Sequence, residues 1–174
     1  EHLKKDTKKD IKGILIIHTE TATGITNDLP AIRSAIDSAD HPSLLIVDTV
    51  AAAGTIDYRM DEWGIDVTVG ASQKGLMMPP GIGIVAAGEK ALSATKESTM
   101  PRLYWDWKTR LEAEHYRKFC GTAPQLMVFG MREALNMLFE EGLENVFERH
   151  RVLAAATHAA VEVWGQAGTL SLNA

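Results

Sequence analysis

Cysteine is nearly absent: Cys120 is the one thiol in 174 residues, which excludes an internal disulfide and fits a reducing compartment. Long hydrophobic runs are missing too. No uninterrupted apolar stretch reaches the roughly 20 residues that a membrane-spanning helix needs, and the N-terminus carries no charged-then-apolar leader. Both absences are the pattern of a soluble, cytoplasmic protein with no membrane partner. Positive charge is in short supply, 18 Lys and Arg against 23 Asp and Glu. No basic face is therefore available to neutralise phosphates, and nucleic acid is excluded as a partner. The single basic cluster, Lys4, Lys5, Lys8, Lys9 and Lys12, is interleaved with Asp6 and Asp10 and reads as a solvated helix face. There is no internal repeat and no low-complexity linker. At this length one core, burying about 70% of the surface that the unfolded chain exposes, is the expectation.

What the chain does have is an alternation of strands and helices. Residues 13–18, Gly-Ile-Leu-Ile-Ile-His, form a continuous apolar run of the kind found in strands buried on both faces. A hydroxyl-rich loop, Thr-Glu-Thr-Ala-Thr-Gly, follows at 19–24. Residues 27–41 read as a helix, with Asn27 or Asp28 as its cap, Pro30 in an early turn, and Leu29, Ile32, Ala35 and Ile36 at helical spacing. Residues 44–47 are the next apolar strand. Residues 13–48 are therefore one strand-helix-strand unit, which requires a parallel pair and a right-handed crossover. A short helix is predicted over 58–64, ended by Gly64, and a strand over 66–69. After the rigid reversal at Pro79, Pro80 and Gly81, a further strand over 82–87 follows so closely that it can run antiparallel. Helices are predicted over 89–94, 110–118, 125–141 and 143–164, the last two strongly amphipathic. His150 and His158 on the last helix have no matching ligands around them and read as surface residues, so no metal site is expected.

The rest of the chain is organised around residues 46–80. One strand finishes on the carboxylate of Asp48, a loop of small residues (Ala51, Ala52, Ala53, Gly54) follows, and after a second strand a loop presents Lys74. Both charges are thus delivered to one edge of one sheet, the edge outside the carboxyl ends of the strands where open α/β sheets bind ligands. The flanks of the lysine are small (Gly70, Ala71, Gly75) or apolar (Leu76, Met77, Met78). They should partly desolvate it, which favours the neutral, nucleophilic amine. Taken singly, Asp48 reads as a helix cap and Lys74 as a solvated charge. Taken together, an edge Asp and a Lys near a shared ligand suit pyridoxal phosphate catalysis, where the lysine holds the aldehyde and the carboxylate faces the ring nitrogen.

Asp-Thr-Val-Ala-Ala-Ala-Gly at 48–54, Ile-Asp-Val-Thr-Val-Gly-Ala-Ser-Gln-Lys-Gly at 65–75 and Pro-Pro-Gly at 79–81 resemble the core of the class V aminotransferases, within them the serine-glyoxylate and alanine-glyoxylate branch. The resemblance implies an α/β fold, the large domain of a pyridoxal-phosphate-dependent transferase of fold type I, mostly parallel and flanked by helices. It also implies a chain cut at both ends, because family members are longer: an incomplete large domain over 1–164 and the start of a small C-terminal domain over 165–174. The activity implied moves an amino group from serine or alanine to glyoxylate or pyruvate, in a homodimer with shared active sites.

Residue by residue, the resemblance makes Lys74 the lysine bound to pyridoxal 5'-phosphate and Asp48 the partner of the ring nitrogen. Thr21, after Glu20 in a stretch similar to the family's Glu-Ser-Ser-Thr-Gly, would reach the cofactor. Val50 would lie against the ring and Gln73 would touch the phosphate. Thr122, in Lys-Phe-Cys-Gly-Thr-Ala-Pro at 118–124, would touch the phosphate held by the neighbouring subunit. Phe119 stands where the family has an aromatic hydroxyl, so one expected phosphate contact is missing. The aromatic group Tyr104, Trp105 and Trp107 reads as packing or interface, and Cys120 as a small filler. Two other readings stand beside this one. The first is another enzyme of the same cofactor fold, such as a cysteine desulfurase-like lyase, for which Cys120 in an interface-like loop is a poor nucleophile. The second is a truncated, inactive fragment whose uncovered sheet edges promote self-association.

Overall fold

Four short apolar stretches build a single sheet. A computed structural model describes residues 1–112, 114 and 118–168. In it β1 (Gly13–Ile17), β2 (Leu44–Asp48), β3 (Val67–Ala71) and β4 (Gly83–Ala87) lie in that spatial order. The first three are parallel and β4 runs antiparallel to β3, as the short connection through Pro79 and Pro80 allows. Strand β3 starts and ends later than the predicted 66–69; just before it, Asp66 donates its N–H to the Leu45 carbonyl at 3.0 Å while its buried carboxylate accepts the Leu45 N–H at 2.7 Å.

The crossover from β1 to β2 is α2 (Leu29–Asp37). Asp28 caps it by accepting the Ala31 N–H at 2.9 Å, and Pro30 occupies the first turn, where its missing N–H costs nothing. The helix stops short of the predicted 41 because Asp40 turns into the left-handed region, φ +46°. Leu29 and Ile36 of α2 meet Leu45 and Val47 of β2 and Ile65 in the core, with Ile14 and Ile16 of β1 packed against them. Burying each such side chain contributes about 1.5–3 kcal/mol.

Side chains alternate across a strand, and the two faces of this sheet differ. The register sets Ile17, Asp48, Val69 and Val85 in one row across all four strands. They share the face that α2 does not cover. Leu15 and Ile17 are exposed there, so the expectation that β1 is buried on both faces does not hold: the described residues put helix on one side of it only.

Residues 60–64 form turns, and 58–59 no regular element, in place of the helix predicted over 58–64. A stretch this short closes a turn or two, with Trp63 N–H on the Arg59 carbonyl at 3.0 Å, before Gly64 takes φ +62°. After β4 come α3 (Glu89–Ala94), α4 (Trp107–Arg110), α5 (Gln125–Glu141) and α6 (Leu143–Gln166), and a single turn, α1 (His2–Lys5), precedes β1. Of the predicted helix over 110–118, residues 113 and 115–117 lie outside the described residues. The residues before it wind instead around Asp106, whose carboxylate caps α4 through the Lys108 N–H at 3.0 Å. Gly142, φ +85°, breaks α5 from α6, and Arg149 reaches back across the break to pair with both carboxylate oxygens of Glu141 at 2.7 and 2.8 Å. Helix α6 runs two residues past the expected 164, to Gln166.

Candidate active site

Asp48 is the last residue of β2 and is half-buried. Its Oδ1 accepts the Val50 N–H at 2.8 Å, the local turn that Asp favours where a strand leaves a sheet. That is the carboxylate's one hydrogen bond among the described residues, so the second oxygen stays available. Thr49 points the other way, buried, with its hydroxyl and its N–H both donating to the Val69 carbonyl at 3.0 and 2.8 Å. The two residues divide the work, Thr49 locking β2 to β3 and Asp48 facing outward. Val50 opens the small-residue loop and is half-buried, and Ala52 is fully buried.

Lys74 stands on a loop held at its neck by one serine. Ser72 is fully buried; its Oγ donates to the Pro79 carbonyl at 2.7 Å and accepts the Ile82 N–H at 3.3 Å, and its backbone bonds to Ile82 and Met78. Inside the neck Met77 takes φ +58° and donates its N–H to the Lys74 carbonyl at 2.9 Å. Lys74 itself is exposed, which corrects the expectation of partial desolvation. Leu76 lies against Gly54 and Met78 against Gly130, so these side chains do not enclose the amine. Its amine has no hydrogen bond or ion pair among the described residues. Gln73 beside it is also exposed.

The loops carrying Asp48 and Lys74 are pressed together at two glycines. A Cβ on Gly75 would stand 2.3 Å from the Ala53 carbonyl oxygen and 2.7 Å from Thr55 Cγ2; one on Gly54, φ +77°, would stand 3.0 Å from the Gly75 oxygen. No other residue fits at position 75 as the loops lie. This contact sets the spacing between carboxylate and lysine. Helices α5 and α6 back it, leaving a cleft of about 310 Å³ lined by Ala51, Thr55, Lys74, Gly75, Leu138 and His150 among others.

Thr21 is exposed, in a loop closed by a Thr19–Thr26 bridge whose hydroxyls are 3.1 Å apart. Glu20 folds under this loop. Backbone N–H groups of Ala22 and Thr23, with the Thr23 hydroxyl, hold its carboxyl below the usual carboxylate range. Thr122 and Phe119 are exposed on the loop before α5, and no hydrogen bond among the described residues joins that loop to Asp48 or Lys74. Cys120 is exposed at φ +53°, so it fills no space in the core. The sequence order drew attention to Asp48 and Lys74, and the family resemblance added Val50 and Gln73; Gly54 and Gly75 were read only as small residues, and the anchoring role of Ser72 was not singled out. Among the described residues there is no grouping of His, Cys, Asp and Glu suited to a metal ion, and no helix is long and apolar enough to cross a membrane.

Asp48 and Lys74 thus follow the carboxyl ends of adjacent strands in an open, mainly parallel sheet, the edge at which open α/β sheets bind ligands. The chain belongs to the class-V aminotransferases: the family model described as Aminotransferase class-V matches residues 1–171. It is 44% identical over 170 residues to a serine–glyoxylate aminotransferase of Methylorubrum extorquens, covering 95% of this chain and 42% of that one. To the serine–glyoxylate aminotransferase of Arabidopsis thaliana it is 46% identical over 164 residues, 94% of this chain and 41% of the other. The fold superposes on the pyridoxamine-pyruvate aminotransferase of Mesorhizobium loti with a TM-score of 0.79 at 25% identity, covering 94% of this chain and 43% of that one. The chain thus spans about two fifths of the length of the relatives it matches.

Proposed function

We propose that this chain carries the lysine and the ring-nitrogen carboxylate of a pyridoxal-phosphate-dependent aminotransferase that moves an amino group from serine or alanine to glyoxylate or pyruvate. One observation carries the reading: Asp48 and Lys74 stand on glycine-locked neighbouring loops at one sheet edge, each with an unspent polar group, and they are not paired with each other. Neither charge is spent on an ion pair among the described residues. Left apart, they fit a ligand that takes one at each end.

When bound, pyridoxal phosphate supplies an aldehyde that condenses with amines and a pyridine ring that accepts electrons. Asp48 would hold a proton at the ring nitrogen through its free oxygen, the other oxygen being fixed by Val50. Lys74 would anchor the aldehyde and, once displaced by the substrate amine, carry the proton to and from the substrate α-carbon. Val50 would pack on the ring, Thr21 would bond its periphery and Gln73 the phosphate. Thr122 would serve the phosphate of a second subunit, which requires a homodimer. Residues 1–164 would be the large domain and 165–174 the entry to a smaller one, in a cytoplasmic enzyme whose partners are small amino acids and 2-oxo acids.

The test is to add pyridoxal phosphate to the intact protein, reduce with borohydride and map the labelled peptide by mass, with Lys74→Ala as control. Label confined to Lys74 and lost in the variant is the expected result. Label scattered over the surface lysines, and equal in the variant, would refute the assignment.

A further inference from the structure

His18 follows β1 directly, at the sheet edge that bears Asp48. Its N–H donates to the Asp48 carbonyl at 2.8 Å, and its own carbonyl accepts the Asn27 N–H at 2.8 Å. The loop that carries Thr21 therefore leaves from His18 and returns to it, and the Asn27 side-chain amide closes the return by donating to the Ile17 carbonyl at 2.8 Å. The ring of His18 is 4% exposed. It lies 5.5 Å from the ring of Tyr58 and 6.1 Å, edge-on, from that of Trp63, and those two meet edge-on at 5.8 Å. The Tyr58 hydroxyl in turn bonds to the Thr68 hydroxyl on β3. One side chain thus clamps the end of β1 to the β2–β3 connection and, through Tyr58, to β3.

The ring nitrogen Nδ1 is buried with no hydrogen-bond partner among the described residues. A phenyl ring would fill the same space without a nitrogen to desolvate, so a histidine held here at a cost calls for a reason. We propose that His18 is a positioning residue of the site: its buried ring fixes the carboxyl end of β1, and its backbone thereby places both the Asp48 carboxylate and the loop carrying Thr21. The proposal rests on the pyridoxal phosphate reading of Asp48 and Lys74. The clamp works only with the ring uncharged. The groups facing the ring are the phenol of Tyr58 and the indole of Trp63, and no carboxylate pairs with it among the described residues. Burial already holds its proton affinity below the usual imidazole range. In acid the charged ring has no anion to meet, and the clamp opens.

His18→Ala and His18→Phe test this in the intact protein, by pyridoxal phosphate titration followed by absorbance from pH 5 to 8 and by amide hydrogen exchange over residues 18–27 in the cofactor-free protein. His18→Ala should bind at least about 10-fold more weakly at pH 8 and exchange faster over 18–27. His18→Phe should bind like wild type at pH 8 and lack part of the weakening that wild type shows in acid. Wild-type affinity and exchange in His18→Ala, or an acid weakening in His18→Phe equal to that of wild type, would overturn the proposal. Should His18→Ala fail to fold, the pH profile of His18→Phe decides alone. If wild type takes up no label at Lys74, the cofactor reading is what fails, and the exchange comparison separates that failure from loss of the clamp.

Discussion

Gly75→Ala is a one-carbon change with a large expected effect. The added Cβ would sit 2.3 Å from the Ala53 carbonyl oxygen, which must retreat by at least about 0.7 Å to reach the 3.0 Å below which such contacts are not found. That oxygen belongs to the backbone, and the next atom, Thr55 Cγ2 at 2.7 Å, is held because the Thr55 hydroxyl donates to the Ala52 carbonyl at 2.8 Å. Neither can swing aside, so the two loops must part. Overpacking of this kind costs about 1–3 kcal/mol, offset by roughly 0.4–1 kcal/mol from the stiffer unfolded chain. A net loss of about 1–2 kcal/mol in denaturant unfolding follows. The larger effect falls on chemistry, because parting the loops shifts Lys74 relative to Asp48, and a displacement near 1 Å costs about 10²-fold in rate. Gly83→Ala is the control, since a Cβ there meets nothing within 4 Å and the backbone is not left-handed; it should be neutral or slightly stabilising. Gly75→Ala with wild-type stability and wild-type labelling of Lys74 would refute the glycine lock.

Asp48→Asn should keep the fold, because the amide oxygen can still accept the Val50 N–H, yet lower kcat by about 10²-fold or more through loss of the charge at the ring nitrogen; steady-state rates beside a melting curve check both halves. Asp66→Ala should do the reverse. It removes the acceptor of the Leu45 N–H and the partner of Lys90 at 3.4 Å, at the strands' amino ends, so unfolding in denaturant should show a loss of about 1–3 kcal/mol while Lys74 labels normally. In acid, Asp6 should matter. The N–H groups of Ile11 and Asp10, with His41, hold its carboxyl below the usual range. Its stabilisation is therefore full above the unfolded value of about 4 and lost as pH falls through the lower folded value. The stability gap between wild type and Asp6→Asn should be widest near neutrality and close in strong acid, read from unfolding curves at each pH.

Fold class was legible because the signals that set it are local. The cap at Asp28, the proline two residues on, and apolar residues at helical spacing define α2 from the sequence alone, and a parallel pair follows from a helical crossover. Helix α5 fell where amphipathic spacing and Gly142 placed it. Boundaries failed where a side chain was claimed by something remote. Asp66 looked like the first residue of a strand, and its second role, as the carboxylate that accepts the N–H of Leu45 21 positions earlier, left no local signal. Residues 58–64 have helical composition, yet Tyr58 and Trp63 are drawn into a ring cluster with His18, some 40 residues away, and no helix satisfies that.

The site was legible only in its chemistry. An aspartate ending one strand and a lysine after the next mark an edge by their types and their order, whatever the contacts. What makes them a site is the distance between two loops, and no spacing rule states that distance. It is set where Gly75 meets the Ala53 carbonyl and where buried Ser72 ties Pro79 to Ile82. The small residues flanking Lys74 were read as part of a dry surround for the amine, whereas the structure uses Gly75 as room for another loop. The same misreading made the lysine look desolvated: apolar neighbours in sequence become neighbours in space only if the loop folds over them, and this one folds away. Lys74 stands where the locked loops put it, and for that reason Gly75→Ala should cost labelling of Lys74 more than it costs stability.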